Sequence, residues 1–116
     1  MSESGVSVSV VVCTYNGEKF LREQLQSILE QTRPPDEIII SDDGSSDSTL
    51  DIVDEIRASA TSNNSQRWRV LTRETPMGVS GNFTSALLEA TGEFVALADQ
   101  DDVWEPDRLE RALREF

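Results

Sequence analysis

"VSVSVVVCTYNG" (Val6–Gly17) decides how the rest of the chain is read. Val6 to Cys13 is rich in β-branched residues and nearly continuous in apolar character, where a strand with one wet face would alternate. The stretch is therefore expected to be a strand buried on both faces, and "TYNG" breaks it. Phe20, Leu21, Leu25, Ile28 and Leu29 then recur at helical spacing, predicting a helix from about Glu18 to Gln31 that "RPPD" ends. "EIIIS" (37–41) is a second apolar run, and "DDGSSDST" supplies turn and cap residues before a helix carrying Leu50, Val53, Ile56 and Ala60. "TSNNSQ" (61–66) reads as a surface loop, "RWRVLTR" (67–73) as a third strand, and "ETPMGVS" leads into a helix with Phe83, Leu87 and Ala90. Gly92 is expected just past the end of that helix, Phe94 to Ala98 as a fourth strand, and Pro106 at the start of a last helix with Leu109, Leu113 and Phe116 on its apolar side. The order β-α-β-α-β-α-β-α defines an α/β class, a mostly parallel sheet with helices on both faces, as one domain over residues 1–116.

Composition narrows the partners. Asp and Glu number 22 against 10 Lys and Arg, a net charge of −12. Nucleic acid and anionic lipid would be repelled over a screening length of about 8–10 Å, so no nucleic-acid partner is expected. Cys13 is the only cysteine and sits in an apolar run, so no internal disulfide can form; a reducing, cytoplasmic setting follows, with peripheral association at the inner face of a membrane compatible with it. Met1 to Gly5 lacks a basic secretory leader, and no apolar run approaches the ~18 residues that span a bilayer. His is absent, which removes Ser-His-Asp chemistry. Walker-type and dinucleotide-type glycine loops are absent as well.

In open parallel sheets, ligands bind outside the carboxyl ends of the strands. Three loops leave those ends: "TYNG", "SDDGSSD" and "ADQDD". In the last, Asp99, Asp101 and Asp102 crowd three carboxylates into four positions. One helix cap needs only one acid, so Asp99 and Asp101 read as hard oxygen ligands of the kind Mg²⁺ or Mn²⁺ takes, while Asp102 is equally suited to capping the next helix. In "SDDGSSD", Gly44 permits a positive-φ turn, and Ser45, Ser46 or Asp47 can cap the helix, which leaves Asp42 or Asp43 to accept a hydrogen bond from a ring N–H or a ribose hydroxyl. Tyr15, the sole tyrosine, could stack on a base or cover the sheet edge. Cys13 reads as a small buried apolar residue.

Taken together, "VSVVVCTYNGEKFLREQLQSILEQT", "IIISDDGSSDST" and "ATGEFVALADQDDVWEPDRL" resemble the amino-terminal, nucleotide-binding half of family 2 glycosyltransferases of the GT-A fold. The form "DQDDVW" resembles the bacterial, rhamnosyltransferase-like branch that builds surface polysaccharides. The resemblance implies a Rossmann-like half-fold and a nucleotide-sugar donor (UDP- or dTDP-sugar) transferred to a glycan acceptor. It implies that Tyr15, with Thr14 nearby, lies against the nucleobase, that Asp43 accepts from the base's ring N–H, and that Asp42 shapes the loop. Asp99 and Asp101 become a D-x-D pair, Asp99 towards ribose and metal and Asp101 a direct ligand of Mn²⁺ or Mg²⁺, with Asp102 on the sugar side. Many relatives carry an Ala-Arg-Asn run in the helix before "ATGE"; here that helix reads "GVSGNFTSALLE", with Asn82 as the nearest polar residue and no arginine. The general base and most of the acceptor site belong, in inverting members, to a second half beyond Phe116, so these 116 residues alone are expected to be inactive. An exposed sheet edge could also pair two copies as a homodimer.

A bare acidic cleft would repel a diphosphate, and a divalent ion between the carboxylates and the phosphates reverses that sign. The competing reading is a non-catalytic module: a receiver-like Mg²⁺-binding domain, or a half-domain serving in assembly. A receiver needs a phospho-acceptor Asp at the end of a middle strand, and the third strand here ends in "LTRET".

Overall fold

The computed structural model describes residues 6–60, 66–98 and 102–115. Along the chain run β1 (Val8–Thr14), α1 (Leu21–Leu29), β2 (Glu37–Asp42), α2 (Thr49–Ala60), β3 (Arg67–Thr72), α3 (Gly78–Glu89), β4 (Phe94–Ala98) and α4 (Arg108–Arg114). The four strands form one parallel sheet in the order β3-β2-β1-β4. Receiver domains follow the flavodoxin-like order 2-1-3-4-5. Here β2 separates β1 from β3, so the receiver reading has no support in the topology.

β1 lies between two partners, and each of its residues is buried. Its alternate side chains feed opposite faces. Val8, Val10 and Val12 join Ile38, Ile40, Trp68 and Ala98 beneath Leu21, Leu25 and Ile28 of α1, Val53 and Ile56 of α2, and Leu109 of α4. Val11 and Cys13 join Ile39 and Ala86, with Phe83 and Ala90, on the side of α3. Right-handed crossovers require this division. The chain steps from β1 to β2 to β3 in one direction, then returns past β1 to β4, so α3 must lie on the opposite face from α1 and α2. The reversal falls between β1 and β4, where an open sheet of this kind binds its ligand.

Several local expectations change. Residues 17–20 form a turn in which the Gly17 carbonyl accepts from the Phe20 and Leu21 N–H groups, so α1 starts at Leu21 and Phe20 is half exposed. Leu87 of α3 is 42% exposed and Leu88 80%, because the buried row of that helix is Asn82 and Ala86. α3 ends through Ala90 in extended backbone rather than on a left-handed glycine. Gly92 answers to a different constraint: a Cβ there would lie 2.6 Å from Ser9 Oγ and 2.7 Å from Ser9 N. Pro106 precedes α4, whose first helical residue is Arg108. The loop expected at 61–66 lies outside the described residues apart from Gln66, and so does Phe116.

The amino edge of the sheet is closed by a buried acid. Glu37, 2% exposed, accepts from Ser9 Oγ (2.7 Å), Thr91 N (3.1 Å) and Thr91 Oγ1 (3.1 Å), and lies 3.6 Å from Arg67. The Ser9 hydroxyl in turn accepts from Gly92 N at 2.9 Å. Burial opposes the ionised form, but the hydrogen bonds from Ser9 and Thr91, with the Arg67 charge, outweigh it and hold the Glu37 pKa below its ordinary value. A carboxylate whose folded pKa is depressed stabilises above its unfolded pKa, about 4.3, and that contribution disappears as pH falls through the folded value. Glu37→Gln should therefore cost about 1–2 kcal/mol at pH 7 and progressively less below about pH 4, measured by urea unfolding across that range.

Candidate functional site

At the opposite, carboxyl edge the β1–α1 and β2–α2 loops are stitched together. Asn16 adopts φ 50°, a left-handed conformation that Asn tolerates better than most residues. Its N–H donates to Ser45 Oγ (2.8 Å), and its Oδ1 accepts from Ser46 N (2.8 Å). Gly17 N donates to Thr49 Oγ1 (3.0 Å), and Glu18 Oε2 accepts from Ser48 N (3.1 Å). Asp47 caps α2 through Thr49 N (2.9 Å), and the Thr49 hydroxyl on the same carboxylate holds its pKa low.

The two acids ending β2 do different things. Asp42 is 1% exposed and accepts four hydrogen bonds, from Thr14 Oγ1 (2.6 Å), Ser45 Oγ (2.6 Å), Ser45 N (2.8 Å) and Gly44 N (3.2 Å). It shapes the turn at Gly44, where φ is +88°. Thr14, 2% exposed, is committed to the same bond. Asp43 reaches across to the start of α3, its Oδ1 accepting from Met77 N (2.7 Å) and its Oδ2 from Gly78 N (3.0 Å). Each Asp43 oxygen keeps a lone pair beyond the backbone N–H it satisfies.

These contacts enclose a pocket of about 550 Å³ lined by Cys13, Thr14, Tyr15, Asp43, Asn82 and the segment Pro76–Val79, with Phe83 behind. Tyr15 is 50% exposed, so its ring has a wet side at the pocket mouth. Cys13, 8% exposed, forms floor rather than reactive surface. Asn82 borders the pocket but its amide is engaged internally: Oδ1 accepts from Ser41 Oγ and Arg73 Nη1 (2.6 Å each), and Nδ2 donates to the Ser41 carbonyl (2.9 Å). The arginine missing from the α3 sequence thus reaches this region from the segment after β3. The second wall, Pro76 to Val79, was not among the three loops the sequence singled out. "PMG" was its only local signal, and Gly78 does take φ +81°.

The acidic cluster is divided by what the structure describes. β4 brings the chain to the carboxyl edge at Ala98, which pairs with Val12 of β1; Asp99 and Asp101 lie outside the described residues. Asp102 is not a helix cap: its Oδ2 is 3.0 Å from Arg108 Nη1, and that guanidinium lies 4.4 Å above the Trp104 ring. Trp104 is 3% exposed, and its backbone N–H donates to Ser27 Oγ (3.0 Å). Gln31, unnoticed in the sequence, ties this return to α1 by donating to the Glu105 carbonyl (2.6 Å) and accepting from Leu109 N (3.0 Å). Among the described residues no group of three or more His, Cys, Asp or Glu could hold a metal ion.

Comparison with known proteins gives this arrangement a class and then a family. The solved structures it matches are GT-A glycosyltransferases: S. aureus TarS 1-349 in complex with UDP-GlcNAc (36% identity, TM-score 0.80, covering 93% of this chain and 30% of that one) and the mannosyltransferase PcManGT from Pyrobaculum calidifontis in complex with GDP-Man and Mn²⁺ (31%, TM-score 0.81, 94% and 32%). Over residues 9–116 the chain matches the glycosyl transferase family 2 model, and it belongs to that family. A curated relative, the UDP-Glc:alpha-D-GlcNAc-diphosphoundecaprenol beta-1,3-glucosyltransferase WfgD of Escherichia coli, is 35% identical over 106 residues, 91% of this chain and 39% of its own length. The chain spans about a third of the length of the curated relatives it matches.

Asp42→Ala strands four donors at once. It should destabilise the fold by about 2–3 kcal/mol and speed amide exchange at Gly44 and Ser45, measured by thermal unfolding and hydrogen exchange.

Proposed function

We propose that this chain is the donor-binding part of a glycosyltransferase that takes a UDP- or dTDP-sugar and passes the sugar to a growing cell-envelope glycan. The observation that carries the reading is the meeting of Tyr15, Asp43 and the Pro76–Val79 wall around one pocket at the carboxyl edge of the sheet. A nucleotide-sugar donor is supported by proteins named with UDP-Glc, UDP-GlcNAc and GDP-Man, and the first two favour a UDP-sugar. The rhamnosyl assignment rests on "DQDDVW" alone.

Within this reading the residues divide the work by chemistry. Tyr15 offers a ring face to the base, with Thr14 at the start of its loop. Asp43, pinned by Met77 N and Gly78 N, presents fixed lone pairs to a ring N–H. A uracil or thymine offers that N–H, whereas the ring nitrogen of cytosine would oppose acceptor to acceptor. Asp42 acts indirectly, since its oxygens are consumed in forming the loop. Asn82 likewise contributes by holding α3 rather than through its occupied amide oxygen. Asp99 and Asp101 would hold Mn²⁺ or Mg²⁺, with Asp99 also towards the ribose and Asp102 on the sugar side. When bound, the ion supplies the positive charge that lets an acidic edge accept a diphosphate. PcManGT in complex with GDP-Man and Mn²⁺ supports the use of a divalent ion.

The test is calorimetric titration with UDP and dTDP. Binding should be readily measured in Mn²⁺ and at least about tenfold weaker in EDTA, and equal affinity in both would refute the metal-dependent reading. Asp101→Ala should abolish the metal dependence while leaving the melting temperature unchanged; loss of binding only together with loss of the fold would make that acid structural.

A further inference from the structure

Arg73 is set apart from the other arginines by its bonding. Among the described residues, Arg22, Arg33, Arg67, Arg69, Arg108, Arg111 and Arg114 each lie within 4 Å of a carboxylate, and Arg57 is exposed on α2. Arg73 is partly buried and enters none of those pairs, in a chain with a net charge of −12. Its Nη1 donates instead to two neutral oxygens, Ser41 Oγ (2.9 Å) and Asn82 Oδ1 (2.6 Å). A cation is thus spent on positioning an amide that is itself 3% exposed.

The placement of those partners explains what is gained. Ser41 is the last but one residue of β2, opposite Cys13 of β1, and Asn82 is on the second turn of α3. Arg73 therefore locks the start of α3 to the sheet, while Asp43 locks Met77 and Gly78 from the other side. Between the two locks the backbone has a third abutment: a Cβ at Gly44 would lie 3.1 Å from the Arg73 carbonyl oxygen and 3.6 Å from Pro76 Cγ. The segment so clamped carries Pro76, Gly78 and Val79, which line the pocket together with Tyr15.

We propose that Arg73 is the positioning residue of the nucleobase wall: by holding Asn82 against Ser41 it sets the width of the pocket between Tyr15 and Val79, and so selects for a flat base there. The inference rests on the donor-site reading above, but concerns the base end of the donor and not the diphosphate end. Removing the guanidinium should loosen the grip on the base and leave untouched whatever binds the phosphates.

Two ligands separate these ends. UDP engages both; inorganic pyrophosphate with Mn²⁺ lacks a base. In calorimetric titrations, Arg73→Ala should weaken UDP about tenfold, the scale of one charge-assisted hydrogen bond, while pyrophosphate stays within about twofold of the unsubstituted chain. Arg73→Lys, which keeps a cationic donor for Asn82 Oδ1, should recover most of the UDP affinity. Should the alanine variant not fold, Arg73→Gln retains an N–H donor without the charge and should show the same selective loss. UDP affinity unchanged in the folded variant, or UDP and pyrophosphate weakened equally, overturns the inference while the donor site stands. Failure of the unsubstituted chain to bind UDP at all refutes the donor-site reading and this inference with it.

Discussion

The carboxylate of Asp42 is the interaction on which the binding edge depends. Strands leaving a parallel sheet side by side have no reason to keep their loops together, because the ladder stops where the strands stop. Here β1 and β2 end level, Thr14 opposite Asp42, and the Asp42 side chain gathers the Thr14 hydroxyl and both donors of Ser45. A buried carboxylate is costly unless satisfied, and four donors supply that satisfaction. The same requirement that keeps the acid tolerable therefore draws the two loops into one surface.

The sheet uses this logic at both ends. Glu37 at the amino edge and Asp42 at the carboxyl edge are nearly inaccessible, and neutral hydroxyl and amide donors hold both; Glu37 alone adds a longer-range arginine. Between them the core is strongly apolar, so the polar groups mark where the ladders end. At the carboxyl edge Asp42 is followed by a second acid, Asp43, whose oxygens each take one backbone N–H. Asp43 keeps acceptor capacity facing the pocket, which divides the pair into one acid that builds and one that can bind.

α3 is the least self-sufficient element. Met77, Val79, Leu87 and Leu88 leave apolar surface exposed along it, and its buried side is narrow. Beside the small apolar contact of Phe83, Ala86 and Ala90, polar groups hold it to the sheet, with Asn82 and Arg73 at one level and Asp43 at its start. An element attached this way can be placed accurately without a large apolar interface, since directional hydrogen bonds specify orientation more narrowly than dispersion contacts do.

How much of this was legible beforehand follows from how local each signal is. Periodicity together with turn and cap residues determined the eight elements, because a valine-rich run that does not alternate must be covered on both faces and the helices that cover it carry their own repeats. The two Asp residues of "SDDG" and the exposed Tyr15 were readable as site candidates from their place at strand ends. What only the tertiary structure decided lies in pairings across long sequence separations: which acid of the pair is consumed, that Gly92 is small because Ser9 approaches it, and that an arginine after β3 serves a helix whose own sequence lacks one. The wall at Pro76–Val79 belongs to the same group. A segment between β3 and α3 becomes part of the site only once the crossover has carried it back over the sheet, and no window of neighbouring residues contains that information.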